Sequence, residues 1–142
     1  MMSAAEDSRF SGLTFEQAIL DSLPANIAVL NPDGEILAVN SQWHEFAAAN
    51  LMMDASVGIG INYLDVCRTA SADPNARAAL DGIQEVMSGK SDFFYHEYPC
   101  HSPWQERWFA LRVTPLVDHP NFVVVSHEDI TDRIAEQNDQ GE

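Results

Sequence analysis

Histidine, cysteine and tyrosine carry most of the chemistry this sequence offers, and their spacing limits what it can be. The run His96-Glu97-Tyr98-Pro99-Cys100-His101 sets imidazole, carboxylate and thiol side by side, all of them zinc-ligand types. Pro99 interrupts it, and no second ligand cluster follows at a standard spacing. The expectation is a chance cluster at a hairpin end, with no metal. Ser126-His127-Glu128 has the residue types of a hydrolase triad, yet neighbours along a strand point to opposite faces. No glycine-rich phosphate loop follows a strand. Tyr63, Asp65 and Cys67 have acid–base character but lack a paired orienting residue. The chain is therefore expected not to be an enzyme. Cys67 and Cys100 lie far apart, form no redox or metal motif, and are expected to be reduced. His127 is the sharpest single candidate, because an imidazole can bond a ligand's polar group and change charge near neutral pH. The ordinary alternative is a core or rim histidine satisfied by a nearby backbone group.

Placing these residues requires the elements that carry them. Thr14 and Gln17 have capping-box spacing, and Phe15, Ala18, Ile19 and Leu23 fall on one helical face that Pro24 ends. Strands over residues 26–31 and 35–40 flank Pro32-Asp33-Gly34, a turn in which proline presets one angle and glycine tolerates positive φ. Asn40 is expected to cap a helix bearing Trp43 and Phe46 toward the core. Residues 51–61 read as an irregular link, and 62–69 as a short helix. Asp73-Pro74 is a strong helix start, followed by the stripe Ala76, Ala79, Leu80, Ile83, Val86 and Met87, with Gly89 as the stop. Strands over 92–99, 107–116 and 121–128 close the domain, and the segment after Ile130 is helix-permissive. Strands grouped at both ends around helices indicate an α+β domain with one mainly antiparallel sheet.

The bulk numbers agree. A chain of 142 residues suits one domain, and 46% hydrophobic residues suffice for one core. With 22 acidic against 7 basic residues, the formal charge of −15 disfavours nucleic acid and anionic lipid, both of which need a basic footprint. Acidic residues are scattered along the chain, which fits a solubilising surface better than a docking face. No apolar run reaches membrane-spanning length, and residues 1–9 lack a secretion-signal layout. A cytoplasmic location is the default expectation.

Three segments in order resemble the PAS family. Residues 27–40 (IAVLNPDGEILAVN) look like its opening strands and the asparagine that follows. Residues 108–116 (WFALRVTPL) look like its fourth strand, and residues 123–133 (VVVSHEDITDR) like its last strand running into an Asp-Ile-Thr linker. The resemblance covers roughly residues 13–133. It leaves 1–12 as a lead-in and 134–142 as the start of a linker helix. It implies a PAS-like five-stranded antiparallel sheet with short helices on one face and flanking helices at both ends. It also implies a sensory domain of the kind found in two-component signal transduction, joined to a downstream effector domain or kinase and often dimeric.

By resemblance to flavin-binding relatives, the faces with Ala28, Leu30, Phe109, Leu111, Val125 and His127 point into a small pocket. His127 stands there where light-sensing relatives hold a flavin-reading glutamine. Trp43, Phe46, Tyr63, Cys67 and Ile83 complete the candidate ligand-binding set, each with core packing as its ordinary alternative. A flavin–cysteine photocycle needs a cysteine in a Gly-x-Asn-Cys-Arg run, whereas this chain has Gly60-Ile61-Asn62-Tyr63. No cofactor is the leading expectation. Flavin held without a covalent step stays compatible, with Trp43 as a stacking residue, and haem is disfavoured because residues 73–89 contain no histidine. Asp129, Ile130, Thr131 and Arg133 are the candidate coupling residues, with Asp129 and Thr131 capping the exit helix and Arg133 pairing with Asp129. The outer sheet face needs a cover, from the helix around Ile19 or from a second subunit. Phe15, Ile19, Leu23, Trp108 and Phe122 are thus the candidate homodimer interface. Two functions follow: a sensor of a small organic ligand, or a ligand-free dimerisation and relay module with a packed core.

Overall fold

The computed structural model describes residues 15–45, 58–100 and 105–140. Expectations for the lead-in, for Thr14, Phe46 and His101, and for the link over residues 51–57 lie outside that set. Element order is α1 (Phe15–Ser22), β1 (Asn26–Leu30), β2 (Ile36–Val39), α2 (Tyr63–Thr69), α3 (Pro74–Met87), β3 (Phe94–Pro99), β4 (Trp108–Pro115), β5 (Val123–Asp129) and α4 (Thr131–Gln140). A further helical turn begins at residues 43–45. The five strands form one sheet in the order β2-β1-β5-β4-β3, with every neighbouring pair antiparallel. The last strand therefore lies at the centre, where the resemblance requires it.

Local chemistry explains the boundaries. The β1–β2 turn closes on Asn31, whose side-chain oxygen accepts from the amides of Asp33 and Glu35. Gly34 sits there at φ 94°, a conformation that strains residues with a Cβ. Asn62 caps α2 and Asp73 caps α3, each by accepting a backbone N–H in the first turn.

One face of the sheet packs against α2 and α3 around Leu30, Ile36, Trp43, Ile83, Val113, Val123 and Val125, all fully buried. Gly82 permits the closest approach of α3 to the sheet: a Cβ there would lie 2.4 Å from the Phe94 ring.

Two expectations fail, one on competing hydrogen bonds and one on exposure. Asn40 does not cap the following helix with its side chain. Buried at 1% exposure, its oxygen accepts from Ile27 N–H and its amide donates to the carbonyls of Leu20 and Ala25. Gln17 Nε2 donates to the Val39 carbonyl and to Asp21, which ties α1 to the sheet edge, while its expected partner Thr14 lies outside the described residues. The helix α1 buries none of its residues and leaves Phe15 73% exposed, so it does not cover the outer sheet face.

Candidate functional site

Three side chains from distant parts of the sequence converge beside the core. Tyr63 opens α2 and is fixed by the hairpin: its amide donates to the Gly34 carbonyl, while Asn62 Nδ2 donates to the Asp33 carbonyl. Tyr98 stands on β3 opposite Phe109, with their rings stacked at 5.9 Å. His127 lies on β5 between Asn26 of β1 and Leu111 of β4. Its Nε2 is 2.9 Å from Tyr63 Oη, and its Nδ1 is 2.7 Å from Tyr98 Oη. The result is a buried phenol–imidazole–phenol chain.

Burial sets the charge state of this chain. His127 is 3% exposed, and desolvation of the imidazolium lowers its pKa to about 3. The expected switch near neutral pH is therefore overturned: the ring is neutral there, and its partners are two tyrosines rather than a lone backbone group. Burial raises both phenols above their ordinary value and pushes the Cys67 thiol up to about 11. Cys100 shifts upward for the same reason. Thiols held this way are protonated and weakly nucleophilic.

Beside the chain is a cavity of about 610 Å³ between α2, the start of α3 and the end of β3. Val66, Ala70, Ala76, Ala79 and Leu111 supply apolar wall; Tyr63, Tyr98, Cys67, Cys100 and His127 supply polar groups, together with Asn62, Thr69 and Asn75. Exposed Asp65 and Asp73 stand at its solvent side. Of the pocket residues expected from sequence, Tyr63, Cys67, Leu111 and His127 line this cavity. Ala28, Leu30, Trp43, Ile83, Phe109 and Val125 do not: they are buried in the packed core. Tyr98, Asn75 and Cys100 were missed as lining. The signal for Tyr98 was available, since it alternates inward with His96 along β3.

The residues offered for a flavin do not assemble a site for one. Trp43 presents its ring to Tyr63 at 5.5 Å in an edge-on contact inside the core, away from the cavity wall. The two histidines nearest the cavity are engaged with side chains, His96 Nε2 at 2.9 Å from Asn75 Oδ1 and His127 with both tyrosines. In the run tested for metal, His96 and Tyr98 share one face of β3 while Glu97 turns to the other, where it meets Tyr95 and Arg133.

At the end of β5, Asp129 Oδ1 accepts from both the amide and the hydroxyl of Thr131. Trp108 N–H donates to Thr131 Oγ1, and Ile130 N–H donates to the Trp108 carbonyl. The exit helix is thus stitched to β4. Ile130 is 5% exposed and plugs the joint. Arg133 does not pair with Asp129 but is drawn to β3. Its guanidinium reaches Tyr95 Oη at 2.8 Å and Glu97 Oε2 at 3.4 Å, both on β3. Trp108 and Phe122 are half-buried, while Ile19 and Leu23 are exposed.

Comparison with known proteins fits this architecture. The family model described as PAS fold matches residues 20–135, and the chain belongs to that family. A curated relative from Rhodobacter capsulatus, an uncharacterized 104.1 kDa protein in the hypE 3'region, is 41% identical over 119 residues. That match takes in 81% of this chain and 12% of the relative, so the chain spans only a small part of its length. Among solved structures, a sensory box sensor histidine kinase from Vibrio cholerae superposes with a TM-score of 0.55 at 19% identity, covering 90% of this chain and 95% of that one. The phage VqmA–DPO complex superposes with a TM-score of 0.60 at 16% identity, covering 88% of this chain and 56% of that one. At these identities the structures share the fold. Among the described residues, no helix is long and apolar enough to cross a membrane.

Proposed function

We propose that this PAS domain is a non-catalytic sensory module that holds a small organic ligand in the cavity beside His127. It passes the occupancy of that cavity through β5 and β3 to the exit helix. The observation that carries this is a largely apolar cavity of about 610 Å³, a size typical of small-molecule sites, bordered by a polar chain on the central strand. Support comes also from VqmA, solved in complex with DPO, and from the sensor histidine kinase, which suggests an effector or kinase as recipient of the signal. The module acts in the cytoplasm.

A ligand that binds only the folded state stabilises it by mass action. A metabolite library screened by thermal shift, with native mass spectrometry of fresh protein, should yield at least one stabiliser or a retained small molecule. An empty result in both would favour the second reading, a ligand-free relay. That second reading draws on the six expected pocket residues that instead pack on one another.

The module works as a homodimer through α1, whose Phe15, Ile19 and Leu23 are exposed, together with the outer sheet face. Removing residues 1–23 should convert dimer to monomer in sedimentation, and a dimer surviving the truncation would rule that interface out.

A further inference from the structure

The chain of Tyr63, His127 and Tyr98 carries a proton count that specifies what the cavity accepts. A neutral imidazole has one N–H and one bare nitrogen. Two phenols add two hydroxyl protons, making three in all, while the chain contains two hydrogen bonds. One phenol donates to the bare nitrogen and the other accepts from the N–H. The second phenol's own O–H is then left over. With the proton on Nε2 this is Tyr63; with the proton on Nδ1 it is Tyr98. Among the described residues, His127 is the side chain to which each of these phenols hydrogen-bonds, and Tyr63 is 2% exposed. The remaining proton calls for an acceptor: at half-buried Tyr98 water or a ligand can supply one, while at buried Tyr63 a hydroxyl that donates to nothing is costly. Both phenols line the cavity, which is where an acceptor can come from.

The rest of the lining narrows the choice. Among its described residues are the carboxylates of Asp65 and Asp73 and neither lysine nor arginine. The nearest cations, Arg68 and Arg107, stand outside the wall and are engaged by Asp65 and by the Cys100 carbonyl, so a carboxylate or phosphate on the ligand would find no cation in the lining itself and two carboxylates at the rim.

Building on the assignment of this cavity as a ligand site, we propose that it takes an uncharged molecule with an apolar body and a hydrogen-bond acceptor, a carbonyl oxygen or heteroaromatic nitrogen. That acceptor receives the leftover hydroxyl proton of the Tyr63–His127–Tyr98 chain. An acceptor beside Tyr98 fixes the Nδ1–H tautomer, and one beside Tyr63 fixes Nε2–H. The ligand thereby sets the direction of both hydrogen bonds on the central strand.

Three probes of similar size test this on the full chain by NMR titration: acetophenone, ethylbenzene and benzoate. Acetophenone should bind roughly five- to tenfold more tightly than ethylbenzene, the worth of about one hydrogen bond, and benzoate more weakly than either. In the Tyr63→Phe/Tyr98→Phe double variant that preference should fall below about twofold. Long-range proton–nitrogen spectra of His127 should change tautomer balance with acetophenone and not with ethylbenzene, a response that a merely structural histidine lacks. Equal affinities for acetophenone and ethylbenzene, or tightest binding of benzoate, would overturn this assignment while leaving the ligand site standing. Unmoved cavity resonances with every probe would overturn the ligand site itself. The wild-type probe comparison decides the matter even if the double variant does not fold.

Discussion

The two halves of β5 are built on different physics. In the first half Val123 and Val125, both fully buried, face Leu30 and Ala28 of β1 and Pro115 and Val113 of β4. Among the described residues, shape and dispersion hold the inner face of this half, where Val123 and Val125 meet only apolar side chains on the neighbouring strands. In the second half His127 and Asp129 are held by directional bonds to Tyr63, Tyr98 and Thr131, which come from α2, β3 and α4. A packed half tolerates little change in volume and ignores charge. A hydrogen-bonded half responds to proton placement and to any molecule that competes for a hydroxyl. One strand thus joins a rigid frame to a chemically responsive end, and the exit helix leaves from the responsive end.

Two measurements bear on that contrast, the larger effect first. Ile83→Ala, on α3 in the same core cluster as Val123 and Val125 of the dry half, removes a fully buried side chain and should cost about 4 kcal/mol of unfolding free energy in urea, the upper part of the range for such truncations. A loss below about 1 kcal/mol would show that this half has slack and that the contrast is false. Acid should act on the other half. In the unfolded chain His127 takes a proton near its ordinary 6.5, while the folded ring takes one only near about 3. Between those values the unfolded state binds the extra proton. Stability should therefore be full above pH 6.5 and fall by about 1.4 kcal/mol per pH unit below it, or about 3 kcal/mol by pH ~4.5. His127→Gln, whose amide can still bridge both phenols, lacks this contribution, and carboxylates common to both proteins cancel in the difference. Parallel slopes for the two proteins would mean that the imidazole is not held neutral.

The frame was legible because its determinants are local or periodic. Pro32-Asp33-Gly34 announces the hairpin, Asp73-Pro74 announces α3, and alternation along residues 108–116 and 123–128 assigns faces that the structure keeps. The place of the cavity was less legible. Residue spacing puts Leu30, Phe109 and Val125 on the inner face, yet it cannot say which part of that face is filled and which borders a void. That depends on how α2 and α3 lean on the sheet. Side-chain partners failed for a related reason: sequence favours the near neighbour, and folding offers better ones. Arg133 is four residues from Asp129, a natural helical pairing, but β3 presents Tyr95 and Glu97. Asn40, well placed to cap a helix, instead ties β1 to the end of α1.

The grip of Arg133 on β3 changes what that edge strand is. Tyr98 faces the cavity from one side of β3, while Tyr95 and Glu97 hold the guanidinium on the other, with Arg112 resting over the Tyr95 ring at 4.8 Å. β3, like β2 at the other edge, has one neighbour and is easier to tilt than the three inner strands. On the proposed relay, Arg133 gives the outgoing helix a tiller on β3 that is separate from its hinge at Asp129.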